Sequence, residues 1–107
     1  MIALVDDQRP AIEALCKRYG VARLEVFGSA ADGTFDPQTS DVDFLVTFGP
    51  PPEGMDAADQ YFGLLFDLEV LFGRRIDLVC EKAMRNPYFI RSVNAGRRGL
   101  YAACPIG

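Results

Sequence analysis

The residues of this chain best suited to chemistry are acids placed where a strand calls for apolar side chains. In "SDVDFLV" (40–46), Asp41 and Asp43 interrupt an otherwise apolar run. Side chains alternate sides along a strand, so Asp41 and Asp43 share one face, about 6.8 Å apart at Cα. Val42 and Phe44 then point the other way, into a core. Two carboxylates on one face repel each other, and withdrawing them from water is costly. A cation relieves both costs. Carboxylate oxygen is the donor that Mg2+ prefers, and Mg2+ sites are usually completed by water and substrate phosphates. In "RRIDLVC" (74–80), Asp77 interrupts Ile76, Leu78 and Val79 in the same way. If that strand lies beside residues 41–47, Asp77 joins the first two acids. Three carboxylates can hold two ions about 3.5–4 Å apart, the spacing that supports in-line displacement at phosphorus.

Each acid alone has a plainer reading. Asp41 after Ser40 could be a turn or cap residue, and Asp77 an edge residue. Their combination on two strands is harder to assign to folding alone. A Gly28-Ser29 turn twelve residues upstream adds the other half of a site. Glycine there permits backbone angles that other residues avoid and lets a ligand approach closely. Ser29 offers a hydroxyl and an N–H at the start of a short helical turn, where backbone donors face outward. That is a cradle for phosphate.

Other chemistries are excluded by composition. There is no histidine among the 107 residues, which removes His-based triads, His–Cys zinc sites and imidazole bases. Cys16, Cys80 and Cys104 are widely spaced and odd in number. They read as reduced thiols of a cytoplasmic protein, with Cys80 in the core. A net charge of −4 does not favour nucleic acid or an anionic membrane. The N-terminus lacks the basic and long apolar regions of a signal peptide, and no segment is long and apolar enough to span a bilayer. Length and composition predict one soluble domain over residues 1–107.

The elements that must position the acids follow from pattern. "DDQRPAIEALCKRYG" (6–20) predicts a helix capped by Asp6 or Asp7 and ended by Gly20. "VARLEVF" (21–27), residues 41–48 and "RRIDLVC" predict three strands. Residues 28–33 predict a turn, 34–40 and 49–57 loops, 58–72 a helix with Gly73 beyond it, and 88–96 a last helix before a short apolar tail, "LYAA". The order predicts a layered α/β or α+β protein, a small mixed sheet of three or more strands packed with helices. In the helix at 58–72, Tyr61, Leu64/Leu65, Leu68 and Leu71/Phe72 suffice to cover a sheet. Phe62, Phe66 and Val70 are left for another surface, either a protein interface for a homo- or hetero-oligomer or other elements of the chain that wrap the helix.

Taken together, "GSAADGTFDPQTSDVDFLV" (28–46) and the later "IDLV" (76–79) resemble the minimal nucleotidyltransferase family of the polymerase-β-like superfamily. Gly28-Ser29, Asp41-x-Asp43 and Asp77 match its pattern, Gly33 and Ser40 match its usual form, and "NPYFIRSVNAGRRGLYA" (86–102) resembles its closing helix and tail. The resemblance implies a polymerase-β-like core in which Asp41, Asp43 and Asp77 bind two Mg2+ ions. It implies that Gly28, Ser29, Gly33 and Ser40 serve the nucleotide, and that AMP passes from ATP to a hydroxyl with release of pyrophosphate. It further implies an antitoxin role beside an all-helical HEPN-class toxin, which some members silence by adenylylating a tyrosine. One departure stands out. Where the family commonly has a basic residue before the second glycine, this chain has Asp32. Compensating cations could come from Arg23, Arg74, Arg75 or Arg91. Asp32 favours an alternative, a non-catalytic antitoxin that only binds and masks its partner.

Overall fold

The structure, a computed structural model, describes residues 3–28, 31 and 41–103. Its elements are α1 (Ala3–Asp6), α2 (Arg9–Arg18), β1 (Val21–Phe27), β2 (Val42–Phe48), α3 (Ala57–Phe72), β3 (Ile76–Cys80), a 3-10 turn (Glu81–Ala83), α4 (Pro87–Gly96) and β4 (Arg98–Ala102). The strands form one mixed sheet in the order β3-β2-β1-β4. β2 and β3 run parallel, while β1 is antiparallel to both β2 and β4. A parallel pair cannot be closed by a tight turn, and α3 supplies the crossover between β2 and β3. The α+β architecture expected from the order of elements is the one observed.

Local chemistry explains where α3 begins and ends. Asp56 and Asp59 form a reciprocal capping box at its start. Gly73 at its end takes φ +63°, a left-handed conformation, and its N–H bonds to the Glu69 carbonyl. The start of α2 differs from expectation. Gln8 occupies the cap position without a side-chain bond, because Asp6 ends the short α1 and pairs with Arg9 at 3.0 Å. The "LYAA" tail also differs: residues 98–102 form β4 against β1, with Leu24 opposite Tyr101 and Leu100 buried. Without β4, β1 would expose a row of unpaired backbone groups at the sheet edge.

The sheet has two dissimilar faces. Leu24, Val26, Val42, Phe44, Val46, Ile76 and Leu78 meet Ile12 and Cys16 of α2 and Leu64, Leu68 and Phe72 of α3 in the main core. Cys80 packs half-buried against this core. On the other face Phe27 and Leu45 meet Val93 of α4, with Val79 and Met84 beside them. The stripe expected along α3 is observed: Phe62, Phe66 and Val70 are 64%, 65% and 66% exposed.

Pattern did not reveal the burial of Gln60, which is 2% exposed. Its Nε2 donates to the carbonyls of Tyr19 at 2.9 Å and Gly49 at 3.2 Å, tying α3 to the end of the β1–β2 pair where β1 starts and β2 finishes. Gln60→Leu should therefore lower unfolding free energy by about 1–3 kcal/mol, because those carbonyls lose their donor. Phe66→Glu, on the exposed stripe, should change it by less than about 0.5 kcal/mol. Urea unfolding of the two variants checks the contrast.

Candidate active site

Register brings the acids together. In the parallel β2–β3 pair Asp43 stands opposite Asp77. Phe44 and Leu78 belong to the main core while Leu45 and Val79 lie on the α4 face. Alternation therefore puts Asp43 and Asp77 on the α4 face. Asp41 immediately precedes β2, two residues ahead of Asp43. Asp41 and Asp43 are half-buried and Asp77 is exposed. Burial, then the negative charges of Asp77 and Asp41, push the Asp43 carboxyl up to about 6.

β1 carries the turn to the same place. Phe27 stands opposite Asp43, so Gly28 follows directly beside it. Gly28 has φ +69°, and a Cβ built on it would lie 2.5 Å from Oδ2 of Asp43. Any larger residue would strain the backbone and displace the carboxylate. The Gly28 carbonyl accepts the N–H of Ala31 at 3.0 Å, opening a turn. Ser29, Asp32, Gly33 and Ser40 lie outside the described residues, as does Cys104.

The donor set suits a hard divalent cation. Among the described residues, none of the three aspartates makes an ion pair. Nor are three acid or thiol groups there gathered tightly enough to enclose a metal ion. The acids form an open row. An open row fits Mg2+, which commonly takes one or two carboxylates and completes its shell with water and substrate phosphates. Of the candidate cations, Arg23 lies 3.7 Å from Glu25, Arg91 lies over the Tyr88 ring at 6.0 Å, and Arg75 is exposed before β3. Cys16 is buried, with its thiol pushed up to about 12 by burial and by Glu13, which keeps it unreactive.

Sequence reasoning missed a clamp on this face. Arg97, just past α4, donates from Nε and Nη2 to Glu25 at 2.8 and 2.5 Å, and from Nη2 to Glu81 at 2.9 Å. Thr47 donates to the other Glu81 oxygen at 2.9 Å. The bonds from Arg97 and Thr47 hold the Glu81 carboxyl below the usual range. The clamp fixes the end of α4 to the sheet. Its one sequence signal was a glutamate, Glu25, inside the apolar strand "VARLEVF".

An open row of aspartates beside a glycine turn, on a mixed sheet braced by a crossover helix, is an arrangement suited to metal-assisted transfer of phosphoryl or nucleotidyl groups. The family model of the nucleotidyltransferase domain matches residues 9–99, and the chain belongs to that family. A Methanocaldococcus jannaschii relative named "Putative protein adenylyltransferase MJ1379" is 32% identical over 76 residues, 71% of this chain and 73% of the relative. A solved structure described as a "putative minimal nucleotidyltransferase" is 33% identical and superposes with a TM-score of 0.69, covering 91% of this chain and 95% of that one. The fold is shared with the complex of a tri-AMPylated Shewanella oneidensis HEPN toxin with MNT antitoxin. That match is 17% identical with a TM-score of 0.60, over 92% of this chain and 73% of that one.

Two outcomes follow from the electrostatics. Asp43 binds its proton more tightly in the folded chain, near pH 6, than in the unfolded chain, near 3.8. Its contribution to stability is therefore fully present below about pH 4, falls as pH rises to about 6, and is constant above. In the presence of EDTA, Asp43→Asn should gain on the wild type across this window. It should end more stable at pH 7 by about 2 kcal/mol, after discounting for partial exposure. Equal pH dependence of the two proteins in chemical denaturation would refute the assignment. Arg97→Ala should cost about 2–3 kcal/mol, because it leaves the largely buried Glu25 with only the longer contact to the more exposed Arg23; thermal melts check this.

Proposed function

We propose that this chain, as one domain over residues 1–107, is a Mg2+-dependent adenylyltransferase that passes AMP from ATP to a tyrosine hydroxyl of a HEPN-class toxin in the cytoplasm. In this reading it acts as the antitoxin. The observation that carries the proposal is the Asp43–Asp77 pair, side by side in register with Asp41 next to it and Gly28 against Asp43. The name of the archaeal relative and the AMPylated toxin in the Shewanella complex support the choice of group and acceptor.

Asp41, Asp43 and Asp77 would hold the ions. When bound, Mg2+ supplies charge neutralisation at the transferred phosphate and lowers the pKa of the acceptor hydroxyl. The chain does the rest. Gly28 lets phosphate oxygens approach the backbone, and Ser29 offers its hydroxyl and N–H to them. Gly33 and Ser40 would serve the nucleotide. The acceptor oxygen attacks the α-phosphorus, the bond to the bridging oxygen breaks, and pyrophosphate leaves. Asp77 is the exposed acid of the row and takes the acceptor's proton. Asp43 is ionised above about pH 6, so ligand capacity is retained at neutral pH and declines in acid.

A second reading, binding and masking of the toxin without transfer, draws support from the exposed Phe62–Phe66–Val70 stripe on α3. The test is incubation with labelled ATP, Mg2+ and a HEPN-class partner. Label should enter the partner, and Asp41→Asn/Asp43→Asn should abolish incorporation, by at least about a hundredfold, while the complex still forms. The same double variant should lose Mn2+ binding in titration calorimetry. A wild type that binds the partner and transfers nothing would leave masking as the function. Metal binding unchanged in the double variant would refute the metal assignment.

A further inference from the structure

We propose that the cavity between the end of β1 and α4 seats the nucleoside of the incoming nucleotide, with the Phe89 ring as the stacking surface for its base. The inference rests on the nucleotidyl-transfer reading and adds where the non-reacting half of the substrate lies.

The α4 face of the sheet is divided. Phe27, Leu45 and Val79 are covered through Val93, which is 1% exposed. The acids at positions 41, 43 and 77 remain beyond that cover. A cavity of about 410 Å3 lies where β1 ends under α4, lined by Phe27, Gly28, Phe89, Ser92, Val93 and Gly96 among others. Its volume falls in the range of small-molecule sites. Among the described residues no lining side chain is ionisable, a wall that suits a neutral base and sugar better than a phosphate.

Gly28 joins the two regions. It lines the cavity, and it also abuts the Asp43 carboxylate. A nucleotide with its phosphates over the aspartate row and the Gly28 turn therefore has its nucleoside within reach of this cavity. The same shared glycine is what favours a nucleoside over an acceptor side chain as the occupant.

Phe89 is prepared for stacking. Its ring meets Phe27 edge-to-face, with centroids 6.0 Å apart and planes at 86°, and the residue keeps 38% of its surface exposed. Its backbone N–H, like that of Tyr88, is held by the Asn86 side chain at the start of α4. An aromatic ring locked on one side and open on another is a stacking surface that needs little ordering on binding. Ser92, one turn along α4, adds a hydroxyl for a base edge or the ribose. Arg97 is a positioning residue here, since its bonds to Glu25 and Glu81 anchor the end of the helix that forms the wall.

Binding in the presence of Mn2+, with ATP and inorganic tripolyphosphate as probes, tests this. Phe89→Ala should weaken ATP binding about tenfold and leave tripolyphosphate binding unchanged. The chain has no tryptophan, so Phe89→Trp introduces a single one, whose emission can be excited apart from that of the four tyrosines. ATP should quench it and tripolyphosphate should not, with ATP affinity kept. If the wild type binds ATP and Phe89→Ala binds it equally well, the cavity assignment fails while the transfer reading stands. Equal loss of both probes would mean that Phe89 acts on the fold, and it would also overturn the assignment. Quenching of Phe89→Trp by N-acetyl-tyrosinamide in place of ATP would give the cavity to the acceptor instead. A wild type that binds neither probe overturns the transfer reading and this inference together.

Discussion

Like charges held on neighbouring strands set the terms for this molecule. Asp43 and Asp77 face each other across a parallel pair, and Asp41 stands one step along. Partial burial, and then the charges of Asp77 and Asp41, make Asp43 harder to ionise. A sheet carrying such a row cannot bury that whole face without leaving charge stranded in apolar surroundings. The two faces are accordingly treated differently. The one that meets α2 and α3 is covered by a continuous core, whereas α4 covers only the Phe27–Leu45–Val79 part of the other.

Two arginines of the α4 face are paired away from the row. Arg97 and Arg23 are gathered around Glu25 and Glu81 rather than around the aspartates. Among the described residues none of the three aspartates is paired with a protein cation, and carboxylate oxygens of this kind suit a divalent cation. The clamp also removes freedom from the junction between α4 and β4, so the wall beside Gly28 is held by hydrogen bonds as well as by the packing of Val93. Stabilisation in one half of the face makes room for an electrostatically costly arrangement in the other.

Membership of the nucleotidyltransferase domain family accords with this division. This chain exposes an apolar stripe on α3 opposite the side that braces the sheet. The site and the stripe are thus carried by different elements. Changes to one need not disturb the other, because α3 meets the sheet through Leu64, Leu68 and Phe72, which belong to neither.

The sequence by itself determined the parts that depend on local order. Period-two alternation put Asp41 and Asp43 on one face, helical periodicity separated Leu64 and Leu68 from Phe62, Phe66 and Val70, and residue type marked Gly28 and Asp77. Asp56 and Gly73 bounded α3 through contacts within one turn. What the tertiary structure decided depends on partners far apart in the chain. The register that sets Asp43 against Asp77 could only be supposed, because β2 and β3 are aligned by the packing of α3 and not by a turn. β4 was missed because it opens on an arginine and a glycine, Arg98 and Gly99, which carry little strand signal, and the free edge of β1 is what draws it in. Nothing local marks Gln60 for burial, which depends on the carbonyls of Tyr19 and Gly49 being brought to it. The Arg97–Glu25 bond spans 72 residues of sequence. Local propensity cannot encode such a pair, since its energy appears only once the helix and the strand are already in place.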